Sequence, residues 1–271
     1  MKRFGVIGNP ITHSLSPDLH QEIYRQLGID ASFEKVRVTS NQLSDFITQN
    51  ELDGFNVTIP HKIAVIPFLD GLDKSAKTIG AVNCIFKGRG YNTDWVGFIK
   101  AMEFNNVELT GKNCLILGAG GAARALAYTL IKSNVNSITI VNRTKEKAES
   151  LTQWIKAQSE IRVKSSSPEH LNTLTPEHII INCTPVGMWP DTESVPMDVG
   201  DISGTPVLVD TIYNPLETKW LKQGKEKGAK IVGGLDMFIA QGLASTDIWF
   251  SENISEKVDL NRLKQTLIAA I

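Results

Sequence analysis

Residues 115–124 read Leu-Ile-Leu-Gly-Ala-Gly-Gly-Ala-Ala-Arg, an apolar strand that passes through a glycine-rich turn straight into a helix. No other stretch constrains the fold as strongly. Gly118 permits the tight turn. Gly120 lets a backbone come close to a pyrophosphate with no Cβ in the way, and Ala123 keeps the third position small for close helix–strand packing. The amides opening the helix then face the phosphates, and the helix dipole adds to the attraction. A glycine triplet alone is a weak signal. The strand before it and the helix after it supply the context that a dinucleotide site requires. Gly118, Ala119, Gly120, Gly121 and Ala122 are therefore the candidate phosphate cradle.

The next apolar strand ends at Val141-Asn142-Arg143-Thr144. An enzyme that uses NAD places an acid near this point for the ribose 2′-hydroxyl. None stands at Asn142, Arg143 or Thr144. A guanidinium instead forks onto phosphate oxygens, and Lys145 and Lys147 add positive charge within one turn. The expected cofactor is NADP.

Around this loop, strand-like and helix-like segments alternate along the whole chain, which argues for α/β architecture, and behind residue 112 the helical crossovers argue for a parallel sheet covered on both faces. Ahead of it the pattern predicts strands over 4–7, 32–38, 55–59 and 81–86. Helices are predicted over 16–27, 42–49, 64–69, 74–79 and 95–104. Pro17 follows Ser16 as expected for a helix start, and Gly28 stands where a helix ends. Behind it strands are expected over 113–117, 137–141, 179–181, 207–210 and 230–232. Helices are expected over 121–132, 144–158 and 217–227, with two more after Met237. The reading is two α/β domains: residues 1–104 with 237–271 as a substrate domain, and 105–236 as a Rossmann-like NADP-binding domain with a parallel sheet.

A chain of 271 residues is long enough to bury a full core without staples. Net charge is −1, with no basic tail and no acidic block, so neither nucleic acid nor a membrane surface is an expected partner. Asn9-Pro10 interrupts the first apolar run before a signal-peptide core forms. Cys84, Cys114 and Cys183 lie far apart with no metal-ligand spacing, which fits reduced thiols in a cytoplasm. His13, His20, His170 and His178 have no partner at metal spacing, and no metal is expected.

Several polar clusters stand out in the first hundred residues. Ser14 and Ser16 place two hydroxyls beside a helix start, where they can hold a carboxylate; Ser16 alone reads as an N-cap. Asn56-Val57-Thr58-Ile59-Pro60-His61-Lys62 carries polar groups toward a strand end. If the chain is extended there, the His61 side chain points away from that of Lys62 and is structural. Asn83 follows Gly80-Ala81-Val82, and Asn92-Thr93-Asp94 precedes a helix. From composition alone, Lys62 is a solvated amine, Asn83 a turn former and Asp94 an N-cap.

Taken together, Ser14–Pro17, Asn56–Lys62, Ile79–Asn83, Asn92–Asp94, Gly118–Ala122, Asn142–Thr144, Asn182–Met188, Asp210–Pro215 and Gly233–Gln241 resemble the shikimate dehydrogenase family, in order and over nearly the whole chain. The resemblance implies reversible reduction of 3-dehydroshikimate to shikimate with NADPH. It implies that Ser14 and Ser16 contact the substrate carboxylate. Thr58, Lys62, Asn83 and Asp94 then surround the hydroxyls and the reacting carbonyl, with Tyr213 and Gln241 closing the site. Gly118–Ala122, Asn142–Lys147, Ile212 and Gly234 would line the cofactor. Lys62 is the candidate for stabilising the developing oxyanion, oriented by Asp94, and either Lys62 or Asp94 can be the group that gives the proton. The chain departs from the family at Trp95, where Gly is common, at Cys84, where Thr is common, and at Gly242, where Ala is usual. A quinate/shikimate dehydrogenase shares most of these motifs, and a non-catalytic NADP-binding regulator is a further alternative, against which Lys62 and Asp94 speak. A monomer or a homodimer is expected.

Overall fold

The structure is a computed structural model that describes residues 1–169, 178–202 and 204–271; His170 lies outside them. It divides into two compact units, Met1–Gly97 with Ile239–Ile271, and Phe98–Phe238. The divisions fall inside helices Asp94–Phe104 and Leu235–Phe250 rather than in linkers.

The first unit contains β1 (Lys2–Gly8), α1 (Ser16–Leu27), β2 (Ala31–Arg37), α2 (Leu43–Gln49), β3 (Gly54–Val57), α3 (His61–Ala64), β4 (Gly71–Leu72), α4 (Lys74–Ile79), β5 (Cys84–Phe86) and β6 (Arg89–Tyr91). The start of α5 (Asp94–Phe104) also belongs to it. Its sheet runs β2-β1-β3-β5-β6-β4. Pairing of β1 with β2 and β3 is parallel, but β5 is antiparallel to both β3 and β6. The sheet of this unit is therefore mixed. Lys87 and Gly88, at φ 48° and 73°, fold β5 and β6 into a hairpin, which fixes the reversed direction.

Two local expectations also change. Strand β3 ends at Val57, not Ile59, because Thr58 O accepts the His61 amide at 2.9 Å and the chain turns there. A helix follows at once, so His61 and Lys62 sit on α3 rather than on extended backbone, and no helix covers 64–69 beyond a short 3-10 turn at Ile66–Phe68. The His61 ring is fully buried with Nε2 2.6 Å from Val38 O. At α1, the residue preceding the helix is Leu15, and Ser16 is inside it without capping. The Ser14 hydroxyl instead accepts the Ser16 amide at 3.3 Å.

The second unit continues with β7 (Asn113–Leu117), α6 (Gly121–Lys132), β8 (Ser137–Val141), α7 (Lys145–Gln158), β9 (Arg162–Ser166), β10 (Ile179–Asn182), β11 (Val207–Asp210), α8 (Lys219–Glu226) and β12 (Lys230–Val232). Its sheet, β12-β11-β10-β7-β8-β9, is parallel at every pairing. Numbered within the unit, this is the 3-2-1-4-5-6 order of doubly wound nucleotide folds, whose switch point lies between its first and fourth strands, here β7 and β10. Leu115, Leu117, Val141, Ile180 and Leu208 from the central strands pack on Trp220 and Leu221 of α8.

The chain then forms α9 (Leu235–Phe250) and α10 (Leu260–Ala269). The later part of α9 enters the core of the first unit. Trp249 stacks on Phe4 with centroids 4.8 Å apart and donates Nε1–H to Ile85 O at 3.1 Å. A Cβ on Gly54 would sit 2.7 Å from the Trp249 ring, so strand β3 needs glycine there.

Beside Trp249, the His20 imidazole lies flat on Phe33 with centroids 4.2 Å apart and Nδ1 3.2 Å from Thr246 Oγ1. Burial pushes its pKa down to about 3 from an ordinary 6.5. The unfolded chain thus takes up a proton near pH 6.5 that the folded chain refuses until far lower. Folding stability from His20 falls as pH drops through that window, by up to about 1.4 kcal/mol per pH unit. Replacing His20 with Phe keeps the ring stack and removes this proton. We expect the stability difference between wild type and His20→Phe, from urea unfolding, to move against wild type between pH 7 and 5. A difference independent of pH would show that His20 titrates normally.

Candidate active site

In the first unit, the end of β3, helix α3, the turn before β5 and the start of α5 bring four polar side chains together. Lys62 Nζ donates to Asp94 Oδ2 at 2.6 Å, with side-chain exposures of 17% and 5%. The other carboxylate oxygen, Oδ1, accepts from Asn83 Nδ2 at 2.9 Å. Asn83 Oδ1 accepts the Thr93 backbone amide at 2.6 Å. A carboxylate only accepts and an amide N–H only donates, so these two partners fix which way the Asn83 amide faces.

Asp94 is not the helix cap that its position suggests. Asn92 Oδ1 accepts the Asp94 amide at 3.1 Å, which closes the start of α5 and leaves the Asp94 carboxylate for Lys62 and Asn83. Nor is Lys62 a solvated amine or Asn83 a mere turn former. An ammonium this far removed from water is retained only with a charged partner. Gln241, on α9, joins the cluster through Oε1, 3.3 Å from Asn83 Nδ2. Thr58 is half-buried at the strand end. Ser14 and Ser16 are brought together, with Ser14 Oγ donating to Ser16 Oγ at 3.0 Å. A Cβ on Gly242 would run into the buried Leu19 side chain, so the methyl missing at this departure is the space Leu19 fills.

Three buried residues of this cluster carry no assignment from sequence: Asn56, Thr93 and Ser245. Asn56 and Thr93 lie within motifs already singled out. Ser245 follows Gln241 by one helical turn on the same face of α9, and that spacing is the signal that points to it.

In the second unit, Gly118 follows β7 at φ 112°, where a Cβ would sit 3.2 Å from the Cys183 carbonyl. Glycine is thus required at the switch point between β7 and β10. Gly120 differs: it has negative φ, and a Cβ there meets no heavy atom within 4 Å. The space over Gly120 is open, beside α6 amides that have no side-chain cap. Arg143, Thr144, Lys145 and Lys147 are exposed beyond β8, while Asn142 Nδ2 donates to Thr144 O at 2.8 Å and shapes the bend. The Lys145–Glu149 contact, at 3.6 Å, is an exposed pair of little strength.

Beyond β11, Asp210 holds the loop carrying Ile212 and Tyr213. Its Oδ1 accepts from Ile212 N at 3.0 Å and Asn182 Nδ2 at 3.1 Å, and its Oδ2 from the Thr218 hydroxyl at 2.9 Å. Burial outweighs these donors and pushes the carboxyl up to about 6. Tyr213 stacks on Phe238 with centroids 4.2 Å apart. The Ile212 carbonyl accepts Gly234 N at 3.0 Å, and a Cβ on Gly234 would stand only 2.6 Å from that oxygen. Among the described residues, no group of three or more His, Cys, Asp and Glu is placed to hold a metal ion, and no helix is long and apolar enough to cross a membrane.

A parallel nucleotide unit with a glycine turn at its switch point, joined in one chain to a unit holding a shielded Lys–Asp pair, defines a dinucleotide-dependent oxidoreductase. Residues 6–85 match the shikimate dehydrogenase substrate binding domain and residues 100–187 the shikimate / quinate 5-dehydrogenase family. A shikimate dehydrogenase (NADP(+)) of Geobacillus kaustophilus is 41% identical over 279 residues, covering 100% of this chain and 99% of its own. A crystal structure of a shikimate dehydrogenase in complex with NADP+ superposes with a TM-score of 0.90 at 38% identity, over 100% of this chain and 96% of that one. The Thermus thermophilus shikimate 5-dehydrogenase in complex with NADP(H) and shikimate gives 0.84 at 29% identity, with both chains fully covered. The chain belongs to the shikimate dehydrogenase family.

The two glycines separate folding from binding. Gly118→Ala is expected to lower stability by about 1–3 kcal/mol, because the new side chain has to adopt a strained φ. Gly120→Ala is expected to melt close to wild type yet bind NADP+ much more weakly in a fluorescence titration. Wild-type affinity in Gly120→Ala would remove that glycine from the cradle.

Proposed function

We propose that this chain catalyses the reversible, NADPH-dependent reduction of 3-dehydroshikimate to shikimate, with Lys62 meeting the reacting oxygen. The observation that carries this reading is the Lys62–Asp94 pair, shielded from water in a chain of this family. NADP fits the second unit. The open space over Gly120 and the amides of Gly118–Ala122 suit a pyrophosphate, and the exposed cations Arg143, Lys145 and Lys147, with Asn142 and Thr144, suit a 2′-phosphate. Ile212 and Gly234 complete its lining. When bound, the reduced nicotinamide supplies the hydride.

The rest of the chemistry falls to this chain's residues. As the ketone carbon gains a hydride, its oxygen becomes an alkoxide that needs a proton. Lys62 carries three N–H donors; one is committed to Asp94, and the others remain for that oxygen. Lys62 stabilises the charge and gives the proton, while Asp94 keeps the ammonium aimed. Asn83, Thr58 and Gln241 contact the ring hydroxyls, and Tyr213 is a further substrate contact that the family resemblance supports. Ser14 and Ser16 take the carboxylate. The Ser14 proton is directed at Ser16 here, so gripping a carboxylate requires Ser14 to turn its hydroxyl outward. Cys84, Cys114 and Cys183 form no disulfide with one another, which supports a reducing, cytoplasmic setting.

Because the match over 100–187 is to a shikimate / quinate family, quinate is the second substrate to assay. Oxidation of NADPH with 3-dehydroshikimate, and reduction of NADP+ with shikimate beside quinate, test the reading directly. Absence of turnover with shikimate would leave the chain a binding protein. Lys62→Ala is expected to lower kcat by about 10²–10⁴-fold with little change in the KM for shikimate. Near-normal turnover would end the role given to Lys62. Arg143→Ala is expected to raise the KM for NADPH far more than that for NADH; equal changes would reject a 2′-phosphate contact.

A further inference from the structure

The hydrogens around Asn83 are oversubscribed. Its Nδ2 carries two, yet three acceptors lie within reach: Thr93 Oγ1 at 2.8 Å, Asp94 Oδ1 at 2.9 Å and Gln241 Oε1 at 3.3 Å. Which of them Asn83 serves depends on where the Thr93 hydroxyl is held.

That is decided one step further away. Ser245 Oγ has a single proton, and Gln241 O takes it at 3.0 Å. Asn56 Nδ2 donates to the same oxygen at 2.8 Å. Thr93 Oγ1 lies 3.2 Å from Ser245 Oγ, where either atom can donate by distance alone. The geometry that puts the Ser245 hydrogen on Gln241 O leaves Thr93 as the donor and Ser245 as the acceptor. Thr93 Oγ1 then presents lone pairs to Asn83. The chain of donors runs Thr93 to Ser245 and Asn83 to Thr93, leaving the second Asn83 hydrogen for Asp94. Asn56, Asn83, Thr93, Asp94 and Ser245 are all at most 5% exposed, so water has little access to any link.

We propose that Ser245 is a positioning residue for the reaction: by accepting from the Thr93 hydroxyl and from Asn56 it holds Thr93 Oγ1 against the Asn83 amide, which the Thr93 backbone N–H and Asp94 orient, and so steadies Asp94 and the Lys62 ammonium. The proposal rests on the role given to Lys62 above. Without the Ser245 hydroxyl, one Thr93 O–H and one Asn56 N–H lose their acceptor in a buried region. Orphaned donors are not tolerated there, so Thr93 turns and Asn83 follows. A displacement of about 1 Å at a catalytic group can cost a hundredfold in rate.

The test uses the full chain and steady-state kinetics with shikimate and NADP+, on Ser245→Ala, Thr93→Val, their double variant, Thr93→Ser and Lys62→Ala. Ser245→Ala and Thr93→Val are each expected to lower kcat by about ten- to a hundredfold, leaving the KM for NADP+ unchanged. Both cut one link, so the double variant is expected to be no slower than the slower single. Thr93→Ser keeps the hydroxyl and is expected to hold most of kcat. Wild-type kcat in Ser245→Ala, or losses that multiply in the double, would overturn the proposal. If Ser245→Ala does not fold, the Thr93 pair decides, and equal rates in Thr93→Val and Thr93→Ser overturn it. Lys62→Ala separates the two readings. If it is inactive while Ser245→Ala and Thr93→Val run at full rate, only the positioning role fails. If it turns over normally, both fail.

Discussion

An ammonium can be kept out of water only where a carboxylate meets it, and the first unit is organised around meeting that condition. Lys62 has 17% of its side chain exposed, Asp94 has 5%, and they lie 2.6 Å apart. Such a pair adds little to stability, because desolvating both ions offsets most of their attraction. What it provides is a charge with one direction left open. Each surrounding choice serves that end. β3 stops at Val57 and α3 starts at His61, which brings Lys62 back toward the sheet; the Lys62 carbonyl accepts Val82 N at 2.7 Å. Asn92 takes over the capping of α5 so that Asp94 need not.

The second unit meets a different demand. A pyrophosphate needs amides and open space rather than a buried ion, and the two glycines of the turn divide the task. Gly118 is glycine because of the protein: its φ of 112° and the nearby Cys183 carbonyl leave no room for a side chain. Gly120 has open space where a Cβ would stand, which suits the pyrophosphate proposed above. One motif thus holds a residue fixed by folding and one that folding leaves free. The Asp210 carboxylate belongs to the first kind. It collects three donors that tie down the loop of Ile212 and Tyr213, while its burial there raises its pKa.

Much of this is legible in the residue pattern, most of all in the nucleotide unit. Strands β7, β8, β11 and β12 and helix α6 start and stop where the apolar runs and glycines place them, because a parallel strand covered on both faces reads as an unbroken apolar run. The polar strand β9, Arg162–Ser166, has no such run. It lies at the sheet edge with most of its side chains exposed, so burial writes no period into it. The first unit is harder to read for a related reason. Its β4 is two residues long and its α3 four, too short for any period to show. The antiparallel turn of β5 depends on two positive-φ residues rather than on hydrophobic pattern.

The site residues divide along the same line. Lys62, Asn83 and Asp94 are visible as unusual polar residues, but each has a bland reading that nothing local can remove. Asp94 before a helix is an N-cap until Asn92 is found in that role. The residue types carry the chemistry, and the competition for hydrogens decides who performs it. That competition joins positions as far apart as Asn56 and Ser245, so no window along the chain contains it. A proton count over the folded cluster does, because each hydroxyl has one hydrogen to give. With the Ser245 hydrogen on Gln241 O, the Thr93 hydroxyl points to Ser245, and the acceptor-only Asp94 carboxylate sets the direction of the bonds from Asn83 and Lys62.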